Sequence, residues 1–216
     1  LSNNNYKIKF TELKNLNSPN FSDKILHGGI NVIESNLEIS NLSIKNSLSE
    51  DAINIISSIS YVDNLIVSET FSDAIDVDFG KINFEKIYCK NVNNDCFDIS
   101  GGRVLGKYLE ATNINDKGIS FGEESKGKID LVNLKKNYLA IAVKDGSDLL
   151  IEESNLTNND FDVSVFKKKN EFGNAKLVLN KTNNSGSLKA LIGKKNEFSS
   201  EKILNFNKVN NNFIYN

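Results

Sequence analysis

Methionine and tryptophan are absent, histidine and proline occur once each, and cysteine occurs twice in 216 residues. A lone His27 excludes multi-histidine metal centres and any Ser–His–Asp triad that does not use it. Its place beside Gly28 and Gly29 reads as a turn histidine. Pro19 is the single proline, so every later residue keeps the N–H that a strand inside a sheet requires. Cys89 and Cys96 match neither a zinc spacing nor a CxxC redox pair, and two free thiols are expected. No stretch approaches the roughly 18 consecutive apolar residues of a membrane-spanning helix, so no membrane insertion is expected. From Leu1 to Phe10 there is no basic-then-apolar signal pattern. A chain without methionine that begins at Leu1 is expected to be a processed piece of a larger polypeptide.

Charge of one sign is lacking too. Lys and Arg number 26 against 28 Asp and Glu, a net charge of −2, with the two signs interspersed. That balance offers no footprint for nucleic acid or an anionic membrane surface. With 39% hydrophobic and 25% charged residues, the chain is globular rather than disordered.

What the chain does have is a repeat of about 22 residues. Asp51-Ala52-Ile53-Asn54-Ile55 recurs as Asp73-Ala74-Ile75-Asp76-Val77 and Asp95-Cys96-Phe97-Asp98-Ile99. The same shift leads to Lys117-Gly118-Ile119-Ser120-Phe121, Leu139-Ala140-Ile141-Ala142-Val143 and Phe161-Asp162-Val163-Ser164-Val165. Two apolar columns flank a mostly polar one, which is the alternation of a strand with one buried face. A fixed shift without insertions requires strands stacked in parallel, because hairpins would reverse direction and scramble it.

The expected fold is therefore all-β: a right-handed, single-stranded parallel β-helix forming a single domain over 1–216. A second strand per coil is expected at Leu37-Glu38-Ile39, Ile82-Asn83-Phe84, Ile129-Asp130-Leu131 and Leu149-Leu150-Ile151. Clear coils are expected over about 28–167, with irregular coils and a cap over 168–216. The Lys167-Lys168-Lys169 run is expected to be a solvated face. A leucine-rich repeat has a similar period, but its Leu-rich consensus with a fixed Asn is missing.

The chemistry-bearing feature is the column Asp51, Asp73, Asp95, Lys117, with Asn54, Asp76 and Asp98 beside it and Asp78 further along its strand. Strict alternation would put Asp73 on the side of Ile75, so a turn must intervene at Ala52, Ala74, Cys96, Gly118 and Ala140. On adjacent rungs roughly 5 Å apart, two carboxylates at an effective dielectric of about 20 repel by about 3 kcal/mol. A cation, a lysine such as Lys117 or Lys144, or a raised pKa must offset that. Three readings stay open: carboxylates for general acid–base chemistry, Asp and Asn capping turn N–H groups, or oxygen ligands converging on Ca2+.

Phe71-Ser72-Asp73-Ala74-Ile75-Asp76 resembles the Asn-Thr-Asp-Gly-Ile-Asp motif of polygalacturonases, and Asn94-Asp95-Cys96-Phe97-Asp98-Ile99 resembles their following Asp-Asp-Cys motif. Lys117-Gly118-Ile119-Ser120-Phe121-Gly122 is similar to their His-Gly motif and Ala142-Val143-Lys144 to their Arg-Ile-Lys. The resemblance, covering Phe71 to Lys144, implies a pectin-lyase-like β-helix whose aspartates carry inverting hydrolysis of polygalacturonate and whose basic residues grip it. Asp73, Asp95 and Lys144 match by position. Asn94 stands where an Asp is expected, Lys117 where the His is, and Ala142 where the Arg is.

Over most of its length the chain also resembles uncharacterised bacterial β-helix modules that accompany spore-coat-H-type kinase domains. Ser49-Glu50-Asp51-Ala52-Ile53-Asn54, Asp116-Lys117-Gly118-Ile119-Ser120-Phe121-Gly122-Glu123 and Lys144-Asp145-Gly146-Ser147 carry that likeness. It implies an extracellular or cell-surface location, and it adds Asp116, Lys117, Glu123 and Lys144 to the residues of interest.

The sequence thus leads to a protein acting on a uronate-containing polysaccharide by hydrolysis, elimination or epimerisation. Asp73, Asp95 and Asp98 are the candidate catalytic residues, and Asp76, Lys117, Glu123 and Lys144 the candidate substrate-binding ones. The alternatives are a non-catalytic glycan-binding module and a rigid structural spacer.

Overall fold

A computed structural model describes residues 4–21, 24–184, 186–200 and 206–207, and none of these is helical. Apart from one short antiparallel pair, Asn20–Phe21 with Lys24–Ile25, every strand pairing is parallel. The chain is a β-solenoid of two sheets. A long sheet stacks Asn5–Ile8, Asn36–Ile39, Ile59–Thr70, Lys81–Val92, Arg103–Ile114, Lys126–Lys135, Asp148–Thr157, Lys176–Asn184 and Glu197–Ser200. A short sheet stacks Gly28–Ile33, Asp51–Ile56, Asp73–Asp78, Phe97–Ser100, Lys117–Gly122, Leu139–Lys144, Phe161–Phe166, Ala190–Ile192 and Phe206–Asn207. The first strands, Asn5–Ile8 and Thr11–Lys14, already pair with the coil that contains Asn36–Ile39 and Leu42–Ser47.

The apolar columns of the repeat are the core. Ile53, Ile75, Phe97, Ile119, Ile141 and Val163 are consecutive ladder partners, as are Ile55, Val77, Ile99, Phe121, Val143 and Val165. All are buried, and burying each such side chain contributes about 1.5–3 kcal/mol. Facing them, the long sheet contributes a column of Ile39, Val62, Phe84, Gly106, Ile129 and Ile151. Gly106 has a steric reason: a Cβ there would lie 2.0 Å from Cζ of Phe84. The Phe84 ring fills that space and packs edge-on against Phe97, with centroids 5.6 Å apart.

The second strand differs from its expected alignment in one coil. Leu37, Ile82 and Leu149 share a column, whereas Ile129 lies one inward position further on, in the column of Ile39 and Phe84. One extra residue in the preceding turn, where Glu123 and Glu124 both have positive φ (58° and 61°), moves the column of Leu37 and Ile82 to Gly127, which has no side chain to mark it, so Ile129 is the first apolar residue of the strand.

Each coil turns twice through left-handed backbone. One series is Asn46, Glu69, Asn91, Asn113, Lys136 and Asn158; the other is Glu34, Ser57, Phe79, Gly101, Glu123 and Asp145. Asparagine tolerates that conformation better than other residues with a Cβ, which accounts for its frequency in the first series. Beneath that turn, Asn137 and Asn159 are buried and accept backbone N–H bonds from Ile114 and Asn137, at 3.1 and 3.0 Å.

Past Phe166 the coil lengthens, and Asp148 pairs with Lys176. The extra residues loop out over a buried Asp145, whose Oδ1 accepts the N–H groups of Lys168 (2.6 Å) and Lys169 (2.8 Å). Lys168 and Lys169 are exposed, as a solvated run should be, but the Lys169 ammonium pairs with Glu123. The strands Lys176–Asn184, Ala190–Ile192, Glu197–Ser200 and Phe206–Asn207 continue the two sheets. The expected terminal cap falls largely outside the described residues.

The two cysteines correct an expectation. Cys89 and Cys96 form a disulfide, with Cα atoms 5.8 Å apart, and are not free thiols. Both point inward, one near the end of Lys81–Val92 and the other at the start of the next short-sheet rung, so the intervening turn brings them together. Closing so short a loop is worth about 2–3 kcal/mol. A Cys89→Ser/Cys96→Ser variant should therefore melt about 5–10 °C lower at this chain length. Reductant should lower the wild-type midpoint and leave the variant unmoved. Two titratable thiols in the unreduced, unfolded protein would disprove the bond.

Candidate functional site

The outer side of the short sheet collects most of the sequence-predicted residues. In every rung the second position drops out of the ladder: Asp73 pairs with Asp51 and Ile75 with Ile53, but Ala74 and Ala52 do not pair. Ala74 and Ile75 are consecutive yet both fully buried, so the strand bends there, as the small residues at that column require. The bend turns residues three apart toward one another. Asn54 Nδ2 donates to Asp51 Oδ2 at 2.7 Å. The result is a row of polar side chains stacked rung on rung along the solenoid, here termed the trough.

Its chemistry changes along the axis. At one end stand Asp51, Asp73, Asp76, Asp78, Asp95 and Asp98. In the middle, Lys117 occupies the rung after Asp95, and Lys144 donates to Ser120 Oγ at 3.0 Å. The methylenes of Lys144 lie over Gly122, where a Cβ would come within 2.7 Å of Lys144 Cε. At the far end Leu139, Ala142 and Phe166 form a separate buried apolar cluster, with Phe161 packed against it.

The carboxylates have two kinds of work. Asp73 Oδ1 accepts the Asp95 N–H at 2.7 Å, and Asp95 Oδ1 accepts the Lys117 N–H at 3.0 Å. Each thus caps the next coil. Asp95 is also ion-paired with Lys117, whose Nζ lies 3.2 Å from Oδ1 and 3.4 Å from Oδ2 and contacts Asp116 as well. Asp76 and Asp98 are direct ladder partners on adjacent rungs. The Asp98 Oδ1 atom is buried without a hydrogen-bond partner among the described residues, and so is Asn54 Oδ1.

Burial is the largest cause of every shift in this group, because desolvation disfavours the charged form. It pushes Asp76 up to about 9, reinforced by Asp78, Asp51, Asp98 and Asp73. Asp73 rises to about 7, through burial and then the Asp95 charge. Asp51 rises to about 6 through burial, with its Asn54 hydrogen bond pulling the other way. Asp78 is raised by burial and by Asp98. Asp95 is raised by burial against the opposing pull of Lys117.

Asp73, Asp76, Asp95, Asp98 and Lys117 therefore converge, and Lys144 borders the same trough. Glu123 sits in the turn after Lys117–Gly122, paired with Lys169. His27 is an exposed residue at the first rung, contacting Glu50, which raises its pKa. Among the described residues no three His, Cys, Asp or Glu side chains are placed together as metal ligands. Sequence reasoning missed the apolar end. Its signal was the continuation of the Asp column into Leu139 and Phe161.

No protein-family model, curated protein or solved structure matches the chain. The residues alone carry the functional reading. No helix among the described residues is long and apolar enough to cross a membrane.

Proposed function

We propose that the protein acts on a uronate-containing polysaccharide laid along the acidic trough. Asp76 is the proton donor, Asp98 on the adjacent rung is the nucleophile, and Lys144 takes a uronate carboxylate. Lys117 holds Asp95 in place rather than touching substrate. One observation carries this reading: Asp76 and Asp98 stand side by side on the outer face, and a carboxyl held protonated to about pH 9 can donate at neutral pH. Perturbed groups of this kind concentrate at functional sites. In hydrolysis, carboxyls one rung of about 4.8 Å apart suit the retaining geometry: Asp76 would protonate the leaving glycosidic oxygen while Asp98 bonds to the anomeric carbon, and water, losing its proton to Asp76, would then release the sugar from Asp98.

A second reading, non-catalytic glycan binding as a module of a larger surface protein, is favoured by the N–H caps that occupy Asp73 and Asp95. A disulfide fits an oxidising, extracellular setting under either reading. The test is prolonged incubation with polygalacturonate, alginate and neutral glucans, scored for new reducing ends, unsaturated products and epimerised residues. Product formation that disappears in Asp76→Asn supports turnover. Binding without product selects the second reading. Neither binding nor product leaves a structural spacer.

A further inference from the structure

We infer that the long sheet carries a second, separate site: an axial groove for a polysaccharide bearing a carboxylate or sulfate on its sugars. The inference takes only its ligand class from the proposed function and uses none of the trough residues.

A cavity of about 680 Å3 lies on the outer face of the long sheet. Tyr61, Asn83, Leu105 and Lys128 are ladder partners on four successive coils and line one side of it. Asp63, Glu85, Lys107 and Asp130, two residues further along each strand, line the other. Tyr61 is 52% and Leu105 57% exposed, both large apolar side chains facing solvent in a concave setting. Between them on the ladder, Asn83 holds its amide oxygen buried without a hydrogen-bond partner among the described residues. Solvent-facing apolar side chains beside a few polar groups in a cavity are the composition of a ligand site.

Charge selects the ligand. Lys81, Arg103 and Lys126 are ladder partners on three adjacent coils, two residues before Asn83, Leu105 and Lys128 on the same face. All three are exposed, and none makes an ion pair among the described residues. The cavity's other cations are satisfied internally, Lys107 by Glu85 (2.8 Å) and Lys128 by Glu152 (2.8 Å). The unpaired cations beside the groove thus form a row of three, one per rung of about 4.8 Å, spanning about 10 Å. An extended chain lying along the axis meets one cation per rung, and the guanidinium of Arg103 can grip a carboxylate or sulfate with two parallel bonds. The Tyr61 ring offers its face to the apolar side of a sugar.

Calorimetric titration with an oligogalacturonate, a heparin-derived oligosaccharide and a neutral cello-oligosaccharide tests this. At least one anionic sugar should bind, and more tightly than the neutral one. Lys81→Ala/Arg103→Ala/Lys126→Ala should weaken it at least tenfold, Arg103→Glu alone about as much, and Tyr61→Ala at least threefold. All these side chains are exposed, so the circular dichroism and melting temperature should stay unchanged. Which anionic sugar responds separates carboxylate from sulfate. The inference falls if neither binds, if the triple variant binds like wild type, or if a single-stranded oligonucleotide of matched length binds equally well. Binding lost in Asp76→Asn but kept in the triple variant would also overturn it, while leaving the trough proposal standing.

Discussion

Replacing Lys117 by methionine should lower the stability of the fold by about 3–5 kcal/mol at pH 8, the usual loss when one partner of a buried ion pair is removed. The Lys117 and Asp95 side chains are only 10% and 4% exposed. Asp95 cannot swing out to water, because its Oδ1 also accepts the Lys117 backbone N–H and so holds two coils in register. Methionine fills much the same volume, so the loss reports charge rather than packing. Burial already pushes the Asp95 carboxyl upward, and Lys117 is its main opposing influence. Without that cation the carboxyl takes up a proton more readily, and the penalty should shrink as the pH is lowered to 5. Asp95→Asn/Lys117→Met should recover most of the stability, since an amide oxygen still accepts the N–H. Urea denaturation of the two single variants and the double variant measures the coupling. A loss below about 1 kcal/mol for Lys117→Met would place the pair among solvated contacts.

The solenoid was legible because its strongest signal is periodic. Each inward Ile or Val answers to the same position one coil away, and six rungs from Ile53 to Val163 agree with the ladder registers. The bend at Ala52, Ala74, Cys96, Gly118 and Ala140 was legible too, because an Asp column beside an Ile column contradicts simple alternation. The long sheet was harder to read. Its Lys81–Val92 strand has neighbouring outward residues at Glu85 and Lys86, so no single period of two fits it. The extra residue at Glu123–Glu124 moved the first inward position to Gly127, where a glycine hides it and leaves Ile129 to be read in its place, and no pattern in the sequence marks a one-residue insertion in a polar turn.

The disulfide was illegible for a different reason. A spacing of seven says nothing unless the turn between is known to double back. The site was half legible. A shared column showed that Asp73, Asp95 and Lys117 stack, but not that Asp73 and Asp95 turn their carboxylates onto the next coil's N–H groups. That choice depends on which side of the bend a backbone N–H emerges. The row of Lys81, Arg103 and Lys126 was hidden because the turn insertion puts Lys126 one residue out of the repeat.

Replacing Asp76 by asparagine should lower any turnover by about 10²–10⁴-fold, the range for loss of a general acid. It should also make the protein more stable at pH 9. The second effect follows from linkage. The Asp76 carboxyl is raised from 3.8 to about 9, so the folded chain binds this proton more tightly than the unfolded one. Below about pH 4 both states hold it, and the carboxyl exerts its full favourable influence. As the pH rises, the unfolded chain ionises first and stability drains away, until the folded carboxyl also ionises near pH 9. Asp73 and Asp51 act in the same direction over narrower windows, ending near 7 and 6. Glu152 acts oppositely, since Lys128 lowers its pKa and its contribution is lost only in acid. The melting temperature should therefore peak near pH 5 and fall toward pH 9. Asparagine has no proton to lose, so the variant's decline should be shallower by about 5–10 °C, equivalent to a few kcal/mol at this size. The two melting curves should lie close together in acid and separate toward pH 9. Parallel curves would mean that Asp76 ionises freely in the folded trough, and it would then have no proton to give a glycosidic oxygen at neutral pH.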